Sequence, residues 1–187
     1  MSERPLVACT GLVAGYQRPV VGPVTLRVLR GEVVGLHGPN GCGKSTLIGA
    51  ITGSARRFAG TLHVEPAIRI AHHRQHSDLG GELPLTGADL LRYAGAQSPP
   101  PPLRPLLPHR LDRLSGGQLQ QLMVWCVLGS DAHLALLDEP TNHLDPESVA
   151  RITELIRRPS PYRATLVVSH EADFLHAVCD RLIALPA

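Results

Sequence analysis

The octapeptide Gly38-Pro39-Asn40-Gly41-Cys42-Gly43-Lys44-Ser45 constrains the fold more than any other stretch of the chain. It fits the pattern G-x-x-x-x-G-K-[ST]. Before it, Glu32-Val33-Val34-Gly35-Leu36-His37 reads as a short buried strand. After it, Thr46-Leu47-Ile48-Gly49-Ala50-Ile51 reads as the first turns of a helix closed by Gly53. Glycines in such a strand–turn–helix unit let successive backbone N–H groups point inward at a phosphate chain. The helix adds the positive end of its dipole. Lys44 is then expected to reach the β- and γ-phosphates, the Ser45 hydroxyl to ligate Mg²⁺, and Thr46 to belong to the nucleotide-binding loop.

The 187 residues allow one domain with a sizeable core, and 43% hydrophobic content is that of a globular protein. A net charge of +2 without a basic block gives no sign of nucleic-acid binding. Cys9, Cys42, Cys126 and Cys179 are widely spaced and form no C-x-x-C pair, so free thiols in a reducing compartment are expected. Met1-Ser2-Glu3-Arg4-Pro5 leads into no apolar leader, and no run of about 18 apolar residues occurs. The expectation is a cytoplasmic protein without a signal peptide or membrane-inserted segment.

Along the chain, strands are predicted at 6–13, 24–28, 32–37, 61–64, 68–71, 134–139, 165–170 and 181–185. Helices are predicted from Thr46, from Thr86 (an N-cap with Asp89 three residues on), from Ser115 to about Leu128, from Pro146 to near Arg158, and over 173–178. Pro99-Pro100-Pro101-Pro102, Pro105 and Pro108 exclude regular helix and read as a polyproline-like connector. Alternating helices and apolar strands predict an α/β fold with a mostly parallel central sheet flanked by helices.

Leu114-Ser115-Gly116-Gly117-Gln118 resembles the signature motif of the ATP-binding-cassette (ABC) ATPases, and the other motifs of that family occur in order over nearly the whole chain. The resemblance implies a P-loop NTPase cassette spanning 1–187. It carries an antiparallel β subdomain and, at about 76–114, a reduced, Pro-rich helical subdomain inserted in the core. It implies ATP and Mg²⁺ as cofactors. Tyr16 matches the aromatic residue that stacks on adenine, and Gln75 the glutamine that senses Mg²⁺, the attacking water and the transmembrane partner. Asp138 matches the Walker B aspartate, Glu139 the catalytic base, Asp145 the D-loop and His170 the switch histidine.

The chemistry agrees with the resemblance. Hydrolysis needs charge neutralisation on the γ-phosphate and a positioned water. Lys44 and Mg²⁺ supply the first. Asp138, ending a strand beside the loop, is expected to hold the metal through water. Glu139 is expected to point elsewhere, toward the attacking water, and His170 to donate to the γ-phosphate. Residues 115–117 form a helix N-terminus with bare N–H groups, an anion site. The resemblance supplies its ligand: two cassettes dimerise head to tail and each signature caps the other's ATP. A homodimer or second cassette is therefore expected, with transmembrane permease subunits as further partners and a peripheral place on the cytoplasmic face of the membrane.

Two comparisons within the family differ on what is driven. Ile70-Ala71-His72-His73-Arg74-Gln75 and Leu83-Pro84-Leu85-Thr86 resemble zinc/manganese importer ATPases. Asp138-Glu139-Pro140-Thr141-Asn142-His143-Leu144-Asp145 resembles the F-type ABC proteins of the ribosome, which carry two cassettes and a charged linker. One cassette and no linker favour the transporter, with metal-ion import as its cargo. Several positions depart from the family. Only 40 positions separate Gln75 from Ser115. Residues 119–122 lack the expected arginine, Cys126 replaces another, and Arg74 replaces a proline. The sequence ends just after its last predicted strand, so no regulatory domain is expected. His72, His73 and His76 cluster near Gln75, yet no cysteine or carboxylate pattern completes a metal site, and His72 and His73 would face opposite sides of a strand.

Overall fold

A computed structural model describes residues 4–74 and 84–185. Three strands, β1 (Val7–Gly15), β2 (Pro19–Val28) and β4 (Arg56–Val64), form an antiparallel sheet in the order β2-β1-β4. Five strands form a parallel sheet in the order β5-β6-β7-β3-β8: β3 (Val33–His37), β5 (Ile70–His73), β6 (Leu134–Asp138), β7 (Ala164–Val168) and β8 (Arg181–Ala184). Among the described residues the α-helices are α1 (Lys44–Thr52), α2 (Gly87–Tyr93), α3 (Gly116–Leu128), α4 (Pro146–Ile156) and α5 (Ala172–Val178).

Alternation along the central strands builds a core on each side of the parallel sheet. Leu134 and Leu136 of β6 and Leu166 and Val168 of β7 join one core, with α1 and the antiparallel sheet. Ala135, Leu137 and Val167 face the other, with α3, α4 and α5. Side chains of successive strand residues point to opposite faces, and both faces are covered, so these strands are mostly apolar, with Thr165 and the terminal Asp138 as exceptions.

Several boundaries differ from the sequence reading. β2 and β4 extend well beyond their predicted spans, because pairing with β1 carries residues 19–23 and 56–60 into the ladder. β5 begins at Ile70, opposite Leu134. α4 stops at Ile156 and β7 at Val168. β6 does not lie beside β3: β7 stands between them. The proline-rich stretch is not a polyproline connector. Residues Pro101–Leu106 form a 3-10 helix, followed by a second at Leu111–Arg113. Prolines at the first helical positions have no N–H to leave unpaired, and buried Leu103 and Leu106 anchor the turn to Leu122 of α3. The predicted cap is present: Thr86 and Asp89 form a reciprocal capping box at the start of α2. Among the described residues no helix is long and apolar enough to cross a membrane.

Candidate functional site

The parallel strands all end at one edge, so the loops after β3, β6 and β7 converge there, where open α/β sheets bind ligands. Between β3 and α1, Gly41 (φ 83°) and Gly43 (φ 93°) take left-handed conformations that favour glycine. A Cβ on Gly43 would meet Val21 Cβ at 2.6 Å. Gly43 caps α1 without a side-chain hydrogen bond, so the first amides of the helix stay open toward the loop.

Lys44 is buried, and its Nζ donates to the carbonyls of Gly38 (2.8 Å) and Pro39 (3.0 Å). Two neutral carbonyls leave a buried ammonium short of negative charge. Across the site, Ser45 Oγ donates to Asp138 Oδ2 at 3.0 Å. Burial pushes the Asp138 carboxyl above its ordinary range; the neighbouring Glu139 charge adds to this, and Ser45 and Lys44 oppose it. Two carboxylates are thus gathered beside a hydroxyl, a donor set that suits a hard divalent cation. The residues present fit a nucleotide phosphate chain with its Mg²⁺: open amides and an undercompensated ammonium for the anion, oxygen donors for the metal.

Glu139 is also buried and takes φ 49°, a sparsely populated region for a residue with a Cβ. Its amide donates to Val168 O at 2.9 Å, continuing the β6–β7 ladder by one residue. Its Oε2 lies 2.9 Å from His170 Nδ1. Residues 40–41, 43–46, 138–139 and 170 surround a cavity of about 470 Å³, which Val20 and Asn142 also line. Those last two were not singled out in the sequence. Asn142 lay within the quoted 138–145 stretch, where its position four after Asp138 could have marked it. Val20 carries no chemical signal and enters only through the pairing of β2 with β1.

Other expected residues lie outside that cavity. Tyr16 is 55% exposed, and its hydroxyl faces α1 at Gly49. Gln75 and His76 lie outside the described residues. Ser115 and Gln118 do not leave the start of α3 bare: they form a capping box, with Gln118 N donating to Ser115 Oγ and Ser115 N to Gln118 Oε1. Gly116 is open to solvent, whereas a Cβ on Gly117 would meet Ser148 Oγ at 2.2 Å. Asp145 caps α4, accepting from Ser148 N (2.9 Å) and Ser148 Oγ (2.7 Å). These bonds hold its carboxyl below the ordinary range. The start of α3 packs directly on α4 beside the D-loop, with Gln121 Nε2 donating to Ser148 Oγ at 3.5 Å. His73 is buried and His72 half-buried, as alternation predicts. Burial lowers the pKa of both, and among the described residues no group of three or more His, Cys, Asp or Glu could hold a metal.

A family model described as "ABC transporter" matches residues 21–87. The zinc import ATP-binding protein ZnuC of Marinobacter nauticus is 35% identical over 97% of this chain and 74% of its own length. The chain belongs to the ABC transporter ATP-binding proteins. ZnuC of Cereibacter sphaeroides is 36% identical over 89% of the cassette and 72% of that protein. A solved structure described as the ATP-binding subunit of an ABC transporter superposes with a TM-score of 0.76 at 26% identity, covering 96% of the cassette and 85% of that chain. The cassette is accordingly an ATPase subunit of an ABC transporter, with ATP and Mg²⁺ as cofactors. These relatives favour the transporter reading over a soluble, ribosome-acting one.

Proposed function

We propose that the cassette powers import of zinc or a similar divalent cation through a permease, working as a homodimer or with a second cassette on the cytoplasmic side of the membrane. The names of its relatives, zinc import ATP-binding proteins, support the cargo. The observation that carries the catalytic part is the grouping of Lys44, Ser45–Asp138 and Glu139–His170 around one cavity. Bound MgATP supplies the phosphoryl group and the metal's charge. Lys44 and the amides of 38–46 hold the phosphates, and Ser45, Asp138 and Gln75 hold Mg²⁺. Glu139 accepts a proton from, or orients, the attacking water, and His170 fixes Glu139 and reaches the γ-phosphate. Tyr16 stacks on adenine. Residues 115–118 cap the ATP of the partner cassette, with Asp145 at that interface. The described residues 84–114 belong to the reduced helical insert, which meets the permease. ATP closes the pair and hydrolysis opens it, because the two states differ in affinity for ATP and ADP.

The test is to capture tagged Glu139→Gln cassette with its partners from its native cells in the presence of ATP, and to measure ⁶⁵Zn uptake in cells with and without Lys44→Ala. A multi-span permease in the capture and zinc uptake lost in the variant are the expected results. A permease with unchanged zinc uptake would overturn the cargo, and absence of any permease would overturn the coupling.

A further inference from the structure

The catalytic carboxylate is placed by an unusual backbone, and something must hold it there. Glu139 takes φ 49°, a conformation that persists only when its surroundings over-determine it. Three of the bonds that do so come from nearby strands and the turn itself: Glu139 N to Val168 O (2.9 Å), Asn142 N to Glu139 O (3.3 Å), and Glu139 Oε2 with His170 Nδ1 (2.9 Å). A fourth comes from α3. Gln120 Nε2 donates to the Pro140 carbonyl at 2.9 Å. Pro140 has no N–H and a fixed φ, so its carbonyl is the one backbone handle by which that residue can be gripped.

We propose that Gln120 is a positioning residue for hydrolysis: it holds the 139–140 turn and thereby ties the catalytic carboxylate to the helix that begins at the 115–118 motif. Gln120 lies just over one helical turn beyond Ser115, and the capping box fixes the start of that helix. A displacement of the start of α3 is therefore carried to Pro140 and on to Glu139. The buried His73 ring stands beside the other end of the Gln120 amide and beside the Asp138 backbone, and neither of its ring nitrogens makes a well-formed hydrogen bond. An imidazole N–H there favours the amide oxygen toward the ring, which directs the NH₂ group to the Pro140 carbonyl.

The proposal rests on Glu139 acting as base or water-orienting group. The experiment measures steady-state hydrolysis and binding of a fluorescent ATP analogue by the full chain, for Gln120→Met, Glu139→Gln and the double variant. Met keeps the length and removes the donor. The expected result is a fall in kcat of about 10- to 100-fold, the scale of a small misplacement at a reacting centre, with KM and nucleotide affinity within twofold. In the Glu139→Gln background the same change should add less than twofold. Equal losses in both backgrounds, a shift in KM matching that in kcat, or unaltered kcat would overturn it. If Gln120→Met does not fold, Gln120→Asn shortens the amide and is read the same way. Full turnover in Glu139→Gln would remove the base reading itself, whereas an inactive Glu139→Gln beside a fully active Gln120→Met removes the positioning role alone.

Discussion

His170 Nδ1 stands 2.9 Å from Glu139 Oε2, joining the ends of two neighbouring parallel strands. Glu139 is 8% exposed at its side chain and His170 is 43% exposed. A buried acid is thus oriented by an imidazole at the mouth of the site. An ionised carboxylate only accepts, so the ring donates through Nδ1 and leaves Nε2 for another partner. Glu139→Gln should lower turnover by about 10²–10⁴ while nucleotide affinity changes only a few-fold. Phosphate release and equilibrium binding check the two halves separately. His170→Ala should fall in the same direction by a smaller factor.

Backbone strain at position 139 has a stability signature separate from the chemistry. Glycine tolerates φ 49° freely and alanine does not. Glu139→Gly should therefore unfold at higher denaturant than Glu139→Ala, by about 1 kcal/mol. Equal midpoints and slopes in urea would show that the turn relaxes once the side chain is gone.

The α3–D-loop seam leaves no room for a side chain on Gly117. Gly117→Ala should destabilise the cassette by about 1–3 kcal/mol, the range for overpacking, because its methyl would lie 2.2 Å from Ser148 Oγ. Adding Ser148→Gly should recover part of that loss. Thermal unfolding of the four combinations gives the coupling directly, and additive effects would show that the seam moves apart instead.

Acid should probe the joint between β3 and β8. Burial alone would raise the Glu32 carboxyl, but Arg181, the Leu29 amide and the charge of Arg27 outweigh it and leave it below its ordinary value of 4.5. A depressed carboxylate adds stability that is present above the unfolded pKa and is lost as pH falls through the folded one. The stability difference between the wild type and Glu32→Gln should hold above about pH 5 and shrink below pH 4.5. A difference that stays flat through that range would mean the Arg181 pair contributes nothing to folding.

Much of this was legible in the sequence, because the elements that matter are apolar runs broken by glycine or ended by charge. Lys44, Ser45, Asp138, Glu139 and His170 each close or open such a run, and the structure gathers them at one edge. What was not legible depends on pairing across long separations. The order that puts β7 between β3 and β6 is invisible to local pattern. So is the left-handed turn at Glu139, which nothing in Asp138-Glu139-Pro140 announces. The proline run misled for a different reason. Proline content excludes α-helix but not a short 3-10 turn, and the deciding factor was burial of Leu103 and Leu106 on a helix farther along the chain. Of the amides at 115–117, which the pattern marks as bare, that of Ser115 is satisfied by Gln118 in a capping box that local pattern does not show.

The alternation of Leu134, Ala135, Leu136 and Leu137 between two cores makes β6 a party wall. On one side stands the room that houses the phosphates; on the other, the room whose rafters are α3 and α4. Each can be refurnished by substitutions facing only its own side. Drift in the apolar packing on one side can then accumulate over evolution while the other side keeps its dimensions.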